Sequence, residues 1–418
     1  MEERQRQHGG TAEPPAGQRV APAPEPISQR TGPEARARRG GPAERRSERA
    51  LLSPSEACAP PPCPTPEETR IPRRLNLVFE AAGALGIAEV GAVAALSEAL
   101  VNEEKYKDTY ISYLAGTSAG AIVAALLGAG YTHTEITDLF SIDTAKLTRT
   151  SGLARLPIVG MYAGMAWGLL TRLGFFRSDI FLQLLRDALR ARGVRTFGDL
   201  IMPGCERERD PARRYRVHVV ASDITRGRML VLPDDVNAEL YGVEPDDMDV
   251  AQAVLMSSSM PLWSPPVRVT GANGVESYIV DGALTSGFPI HLFDVVAPET
   301  EDTLTLGVRV SSERYHAVKF PSFYHLARAA ISTAFMARDV SEIAKRVDKL
   351  KWARTIQINT GTAAPFENLS PLRRESLYNA GYLTMKRAVD GNVLERRVPV
   401  RAAAAGSTGQ SASGPTQT

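Results

Sequence analysis

Residues Ile111–Gly120 read Ile-Ser-Tyr-Leu-Ala-Gly-Thr-Ser-Ala-Gly. Ile111–Ala115 is a short apolar run and predicts a buried strand. Gly116-Thr117-Ser118-Ala119-Gly120 fits G-x-S-x-G, and the apolar residues after it predict a helix that ends near Gly128 and Gly130, as glycine suits a helix C-terminus. A sharp strand-to-helix turn lifts the Ser118 hydroxyl to an exposed point, and the flanking glycines remove Cβ atoms that would clash there. Ser118 then stands at a helix N-terminus, where unpaired N–H groups favour developing negative charge, and the Ala119 N–H can face an oxyanion. The plain alternative is a tight turn with serine as an N-cap; the strand before and the helix after favour a nucleophile.

Upstream, Leu75–Glu80 (LNLVFE) predicts another buried strand, followed by a small-residue turn, Ala81–Gly86. Ile87–Leu100 predicts a helix with Ile87, Val90, Val93 and Leu96 on one face. Downstream, helices are expected over Ser178–Arg192, Asp249–Ser258, Tyr324–Leu350 and Pro371–Val389. Strands are expected at Tyr215–Ala221, Arg228–Leu232, Ser277–Val280, Thr303–Val310 and Thr355–Ile358. Strands alternating with helices imply an α/β fold with a mostly parallel central sheet.

Residues 1–72 are rich in Pro, Arg, Glu, Ala and Gly, and 396–418 end in an Ala/Gly/Ser/Thr-rich run. Such segments cannot bury enough apolar surface to offset their ordering entropy, so both are expected to be disordered tails around a domain at 73–395. A net charge of +2 gives no footprint for nucleic acid. Three sparse cysteines, Cys58, Cys63 and Cys205, form neither a disulfide framework nor a zinc pair. The N-terminal MEERQRQHGG has no apolar run behind its charges, so the expectation is a reducing, cytoplasmic setting. No stretch reads as a membrane span; the nearest are Leu114–Gly130 and Leu156–Leu170. Leu156–Phe176, with Trp167, Phe175 and Phe176 between Arg155 and Arg177, reads either as a lid or acyl channel in peripheral membrane contact, or as a core helix packed through Gly160, Gly164 and Gly168. The aspartates at 234, 235, 246, 247 and 249 read as a solvated loop rather than a metal site.

Four further segments complete a pattern. Asp281-Gly282-Ala283 follows the strand Ser277–Val280, and Met256–Pro266 reads MSSSMPLWSPP. Ala221-Ser222-Asp223 precedes Thr225-Arg226-Gly227, and Thr196–Leu200 reads TFGDL. Together with the Ser118 turn they resemble the patatin-like phospholipase family over about Leu75–Val389. The resemblance implies a three-layer α/β/α fold and a Ser–Asp dyad acting on a lipid or ester substrate without metal or cofactor. Ser118 would attack the ester carbonyl, and Asp281 would take the hydroxyl proton. The N–H groups of Ala81, Ala82, Gly83 and Ala119 would hold the oxyanion. The family's loop usually reads Gly-Gly-Gly-x-(Arg or Lys)-Gly; here it reads Ala81-Ala82-Gly83-Ala84-Leu85-Gly86, and Gly287 stands where asparagine is frequent. Alanine tolerates positive φ poorly and its methyl can crowd an oxyanion, so these departures bear on the activity level. Two alternatives stand beside the dyad. One is a catalytically weakened, lipid-binding relative; the other is an esterase whose triad draws on His291, His316 or His325, all of which follow Asp281.

Overall fold

The computed structural model describes residues 67–140, 178–293, 302–311, 355–363 and 369–399, together with Leu326, Ala329 and Thr333. The chain divides into two units, Met1–Pro64 and Thr65–Thr418, and every described residue lies in the second. The expected Leu156–Phe176 lid, most of the 324–350 helix, His316 and His325 lie outside the described residues.

The strands are β1 (Glu67–Arg70), β2 (Arg74–Phe79), β3 (Tyr110–Thr117), β4 (Val217–Asp223), β5 (Arg228–Leu232), β6 (Val267–Thr270), β7 (Glu276–Asp281), β8 (Thr303–Ser311), β9 (Thr355–Asn359) and β10 (Arg396–Pro399). The longer helices are α1 (Gly86–Asn102), α2 (Ala119–Gly128), α3 (His133–Phe140), α4 (Ser178–Ala191), α5 (Val250–Ser257) and α6 (Pro371–Asp390). The run β9-β8-β2-β3-β4 is parallel throughout, while β5 and β7 pair with β4, and β6 with β7, in antiparallel fashion. This is the expected α/β fold with a mostly parallel sheet. Its central strands are buried on both faces, which is why β2 and β4 read as near-continuous apolar runs rather than alternating ones.

Register places the functional loops. Phe79 pairs with Gly116, so the connections after β2 and β3 leave the sheet side by side at its C-terminal end. In open α/β sheets that is the end where ligands bind. On β4, residues 219–223 pair with β5 along one edge. The opposite edge carries β3 as far as Thr117↔Val220, and from Asp281↔Ala221 onward it carries β7. Ser118, just past Thr117, and Asp281 are therefore set at adjacent steps along one strand edge.

The larger core joins the α1, α2 and α6 side of the sheet, with Leu75, Leu77, Phe79, Leu114, Val219 and Leu306 among its members. Alternate residues Val78 and Ala115 point the other way, into a smaller cluster with Phe288 and Phe293. Helix α1 is buried almost all round rather than on one stripe. A Cβ at Gly381 of α6 would sit 1.8 Å from the Ala88 carbonyl, and one at Gly91 would sit 2.0 Å from that of Tyr378. The small residues of α1 thus let two helix backbones touch. Among the described residues, the stretch Gly83–Asn102, which the sequence reading did not single out, is long and apolar enough to cross a membrane, yet it is mostly buried and is the core helix of the fold.

A second correction concerns the ends. β1 and β10 pair antiparallel, Glu67↔Pro399 to Arg70↔Arg396, inside segments expected to be tails. Their sequences, EETR and RRVP, carry no apolar pattern that could announce a strand. The aspartates read as a solvated loop also have structural partners. Asp249 caps α5 through Gln252 N–H at 2.8 Å, Asp235 accepts from Val231 N–H at 2.7 Å, and Asp246 holds Arg214 at 2.8 Å.

Candidate active site

The turn after β3 is as tight as the motif requires. A Cβ on Gly116 would lie 2.2 Å from the Gly120 carbonyl oxygen, and one on Gly120 would lie 2.6 Å from those of Phe79 and Glu80. Ser118 itself has φ 54° and ψ −119°, a region that a residue with a side chain keeps only when its surroundings over-determine it. It is half-buried, at the N-cap of α2, with its carbonyl accepting from Ala121 N–H at 3.0 Å.

Asp281 is 1% exposed. Its Oδ1 accepts from Ala283 N–H at 2.8 Å, in the turn that Gly282 makes possible: a Cβ there would meet the Val220 carbonyl oxygen at 2.1 Å. Its backbone is clamped as well, since Asp281 N–H donates to Ser259 O at 2.9 Å and Ser222 Oγ donates to Asp281 O at 2.9 Å. Burial pushes the carboxyl up to about 6, while the Ala283 N–H and the Ser118 hydroxyl pull the other way. The Ser118 hydroxyl is thus close enough to favour the carboxylate, yet Oδ2 is buried without a hydrogen bond of normal geometry. Loose catalytic hydrogen bonds are common in a free enzyme.

The loop after β2 divides the expected oxyanion donors. Ala81 N–H donates to Gly287 O at 2.8 Å, so Ala81 is already committed and drops out of the set. Gly287, at the position where asparagine is frequent in the family, supplies the backbone carbonyl for this bond, a role that does not depend on its side chain. Ala82 and Gly83 N–H, and Ala119 N–H across the turn, find no acceptor among the described residues. Ala82 has φ −109°, ordinary for alanine, and its methyl is buried in the core. Gly83 carries the positive φ, +55°. The expected strain and crowding are therefore absent at Ala82, because the one left-handed position kept its glycine. Leu85, in place of the family's basic residue, is buried in the core. Gly86 opens α1, and a Cβ there would press on Ala119 at 3.0 Å, so loop and nucleophile turn are in contact.

Two buried acids frame this loop. Glu80 at its base pairs with Arg309 at 2.8 Å and accepts from Val310 N–H at 2.7 Å. Glu89, one turn into α1, is fully buried with no hydrogen bond of normal geometry to either oxygen, and burial, with the nearby Glu80 carboxylate, pushes its carboxyl well above the usual range against an opposing pull from the Glu80 backbone N–H. No sequence signal marked Glu89, since it sits in an apolar helix and needs the packing to show its burial. His291 is described too and is half-buried beyond the Asp281 turn; of the other two described histidines, His133 starts α3 with Nδ1 3.2 Å from Tyr378 Oη, and His218, not singled out from sequence, is buried with Nδ1 3.0 Å from Asp234. Neither bonds Asp281. The remaining motif segments are structural: Asp223 accepts from Thr225 and Arg226 N–H at 2.9 and 3.0 Å, and Thr196 with Asp199 forms a capping box.

A model of the patatin-like phospholipase family matches residues 77–294, a span that holds the loop, Ser118 and Asp281. The uncharacterized protein YqhO of Bacillus subtilis (strain 168) is 34% identical over 274 residues, 65% of this chain and 84% of its own length. The uncharacterized protein R571 of Acanthamoeba polyphaga mimivirus is 22% identical over 332 residues, 78% of this chain and 97% of its own. The crystal structure of VipD from Legionella pneumophila aligns with 79% of this chain and 68% of its own at 18% identity and a TM-score of 0.42.

Proposed function

Because the chain belongs to the patatin-like phospholipase family, we propose that it hydrolyses a carboxylic ester of a lipid through an acyl-enzyme on Ser118, with Asp281 as the base. The observation that carries the reading is the Asp281 carboxylate: buried, fixed through Oδ1, open at Oδ2 and within reach of the Ser118 hydroxyl. A serine hydroxyl is a weak nucleophile until a base takes its proton. A carboxylate pushed up to about 6 is a better base near neutral pH than an ordinary aspartate, and it remains mostly ionised there.

The steps follow from this arrangement. Ser118 Oγ attacks the ester carbonyl carbon as its proton passes to Asp281 Oδ2. The carbonyl π pair moves onto oxygen, where the N–H groups of Ala82, Gly83 and Ala119 are the proposed donors; each such donor is worth about 3–4 kcal/mol of barrier. Collapse breaks the bond to the alcohol, which leaves with the proton held by Asp281. Water then gives a proton to Asp281 and attacks the acyl-enzyme. The second collapse releases the acid and returns the proton to Ser118.

The half-buried apolar residues Met260, Leu262 and Trp263 lie on the loop whose Ser259 carbonyl anchors Asp281, and they suit an acyl chain beside the dyad. The geometry of Ala82 and Gly83 favours a working oxyanion loop over a retired one. The test is ester hydrolysis by wild type, Asp281→Ala and His291→Ala. The dyad predicts loss in the first variant alone; loss in the histidine variant with Asp281→Ala active would overturn it.

A further inference from the structure

Ser118 keeps a backbone conformation that residues with side chains rarely adopt, so something must hold it there. Its N–H donates to Ser257 Oγ at 2.8 Å, and Ser257 Oγ in turn donates to Val220 O at 2.5 Å. Ser257 is fully buried and is the last residue of α5, whose start is pinned by the Asp249 cap. Val220 is the β4 residue that pairs with Thr117, and its carbonyl is also the one against which Gly282 packs. One carbonyl therefore touches both the link to the nucleophile and the turn that carries the base.

We propose that Ser257 is a positioning residue: its hydroxyl fixes the Ser118 turn and registers it on the same β4 carbonyl as the Asp281 turn. With its proton given to Val220 and a lone pair taken by Ser118 N–H, the Ser257 hydroxyl is committed on both sides. It acts through the Ser118 backbone rather than on substrate. It also removes the Ser118 N–H from the possible oxyanion donors. The inference rests on the acyl-hydrolase reading for its effect on turnover, but its geometric content stands apart from it.

Ser257→Ala leaves the Ser118 N–H without its acceptor and frees the turn to relax. A displacement of the nucleophile by about 1 Å costs on the order of 100-fold in rate. The expected result with a chromogenic ester is a kcat lower by about that factor, with KM within about threefold because ground-state binding is kept. Ser257→Thr, which keeps the hydroxyl, should recover most of the kcat. A Ser257→Ala enzyme with wild-type kcat overturns the inference, as does a loss of kcat that only tracks the loss of folded protein, or an equal loss in the Thr variant. Amide hydrogen exchange of the Ser118 N–H supplies a second reading that needs no turnover. It should be slow in wild type and fast in Ser257→Ala while the rest of α2 stays protected, and equal exchange in both proteins overturns the inference. A wild type inert towards esters would count against the hydrolase reading, and exchange would then decide this one.

Discussion

Replacing Asp281 with asparagine should make the protein more stable and less active, and the size of the first effect can be worked from the site. Asp281 is fully buried and its carboxyl is raised from the usual 3.8 to about 6. At about 1.36 kcal/mol per pKa unit, keeping it ionised costs the folded state about 3 kcal/mol. The sign follows from the direction. The folded protein holds this proton more tightly than the unfolded chain, so Asp281 is harmless to stability below about pH 4, and the cost develops as pH rises through about 6. Asparagine removes the charge and keeps an oxygen for Ala283 N–H. At roughly 2 °C per kcal/mol for a domain of this size, Asp281→Asn should melt about 6 °C above wild type at pH 8, with the gap closing towards pH 4. Its kcat should fall by about 100- to 10,000-fold, the range for a lost general base. In wild type, kcat/KM should rise with pH through about 6 and then level off. The assays are thermal melts across pH and initial rates on one ester. A variant that is less stable than wild type at pH 8, a gap that does not change with pH, or undiminished turnover would refute the reasoning.

The oxyanion loop gives a paired prediction. Ala82→Gly, which restores the family's glycine, should leave turnover within about twofold and lower stability by about 1 kcal/mol, because Ala82 already has a negative φ and a buried methyl. Gly83→Ala places a methyl at φ +55° and should cost about 1–2 kcal/mol along with most of the activity; a melt and a rate for each variant check both. Glu89→Gln should stabilise the protein increasingly as pH rises, since burial holds the native carboxyl in its neutral form and ionisation opposes folding. Denaturant midpoints at pH 5 and pH 8.5 test this, and a pH-independent difference would contradict it.

Much of the fold was legible because its signals are local. LNLVFE is buried on both faces, so it reads as a strand, and β2 covers it to within a residue. Pro371 after Ser370, at the head of a long helical run, matched the start of α6, where Ser370 accepts from Arg373 N–H. The Gly-x-Ser-x-Gly turn and the Asp-Gly-Ala turn were readable for the same reason, since their glycines answer to close backbone contacts. What escaped depends on distant partners. That Ala81 N–H is consumed by Gly287, over 200 positions along the chain, has no trace near Ala81. Ser257 was noted only as part of a serine-rich stretch; its bond to Ser118 arises from the way α5 lies against β4. The ribbon of β1 and β10 joins charged segments from opposite ends of the chain, and β6, with sequence VRVT, is too short and too polar on alternate residues to stand out.

The central claim is that Ser118 is an activated nucleophile. The direct measurement is the intact mass and peptide map of wild type, Ser118→Ala and Asp281→Asn after treatment with a fluorophosphonate. The account predicts one covalent adduct in wild type, mapped to the peptide holding Gly116–Gly120. It predicts none in Ser118→Ala and slow, incomplete labelling in Asp281→Asn. An adduct on another serine, or equal labelling of wild type and Asp281→Asn, would contradict it.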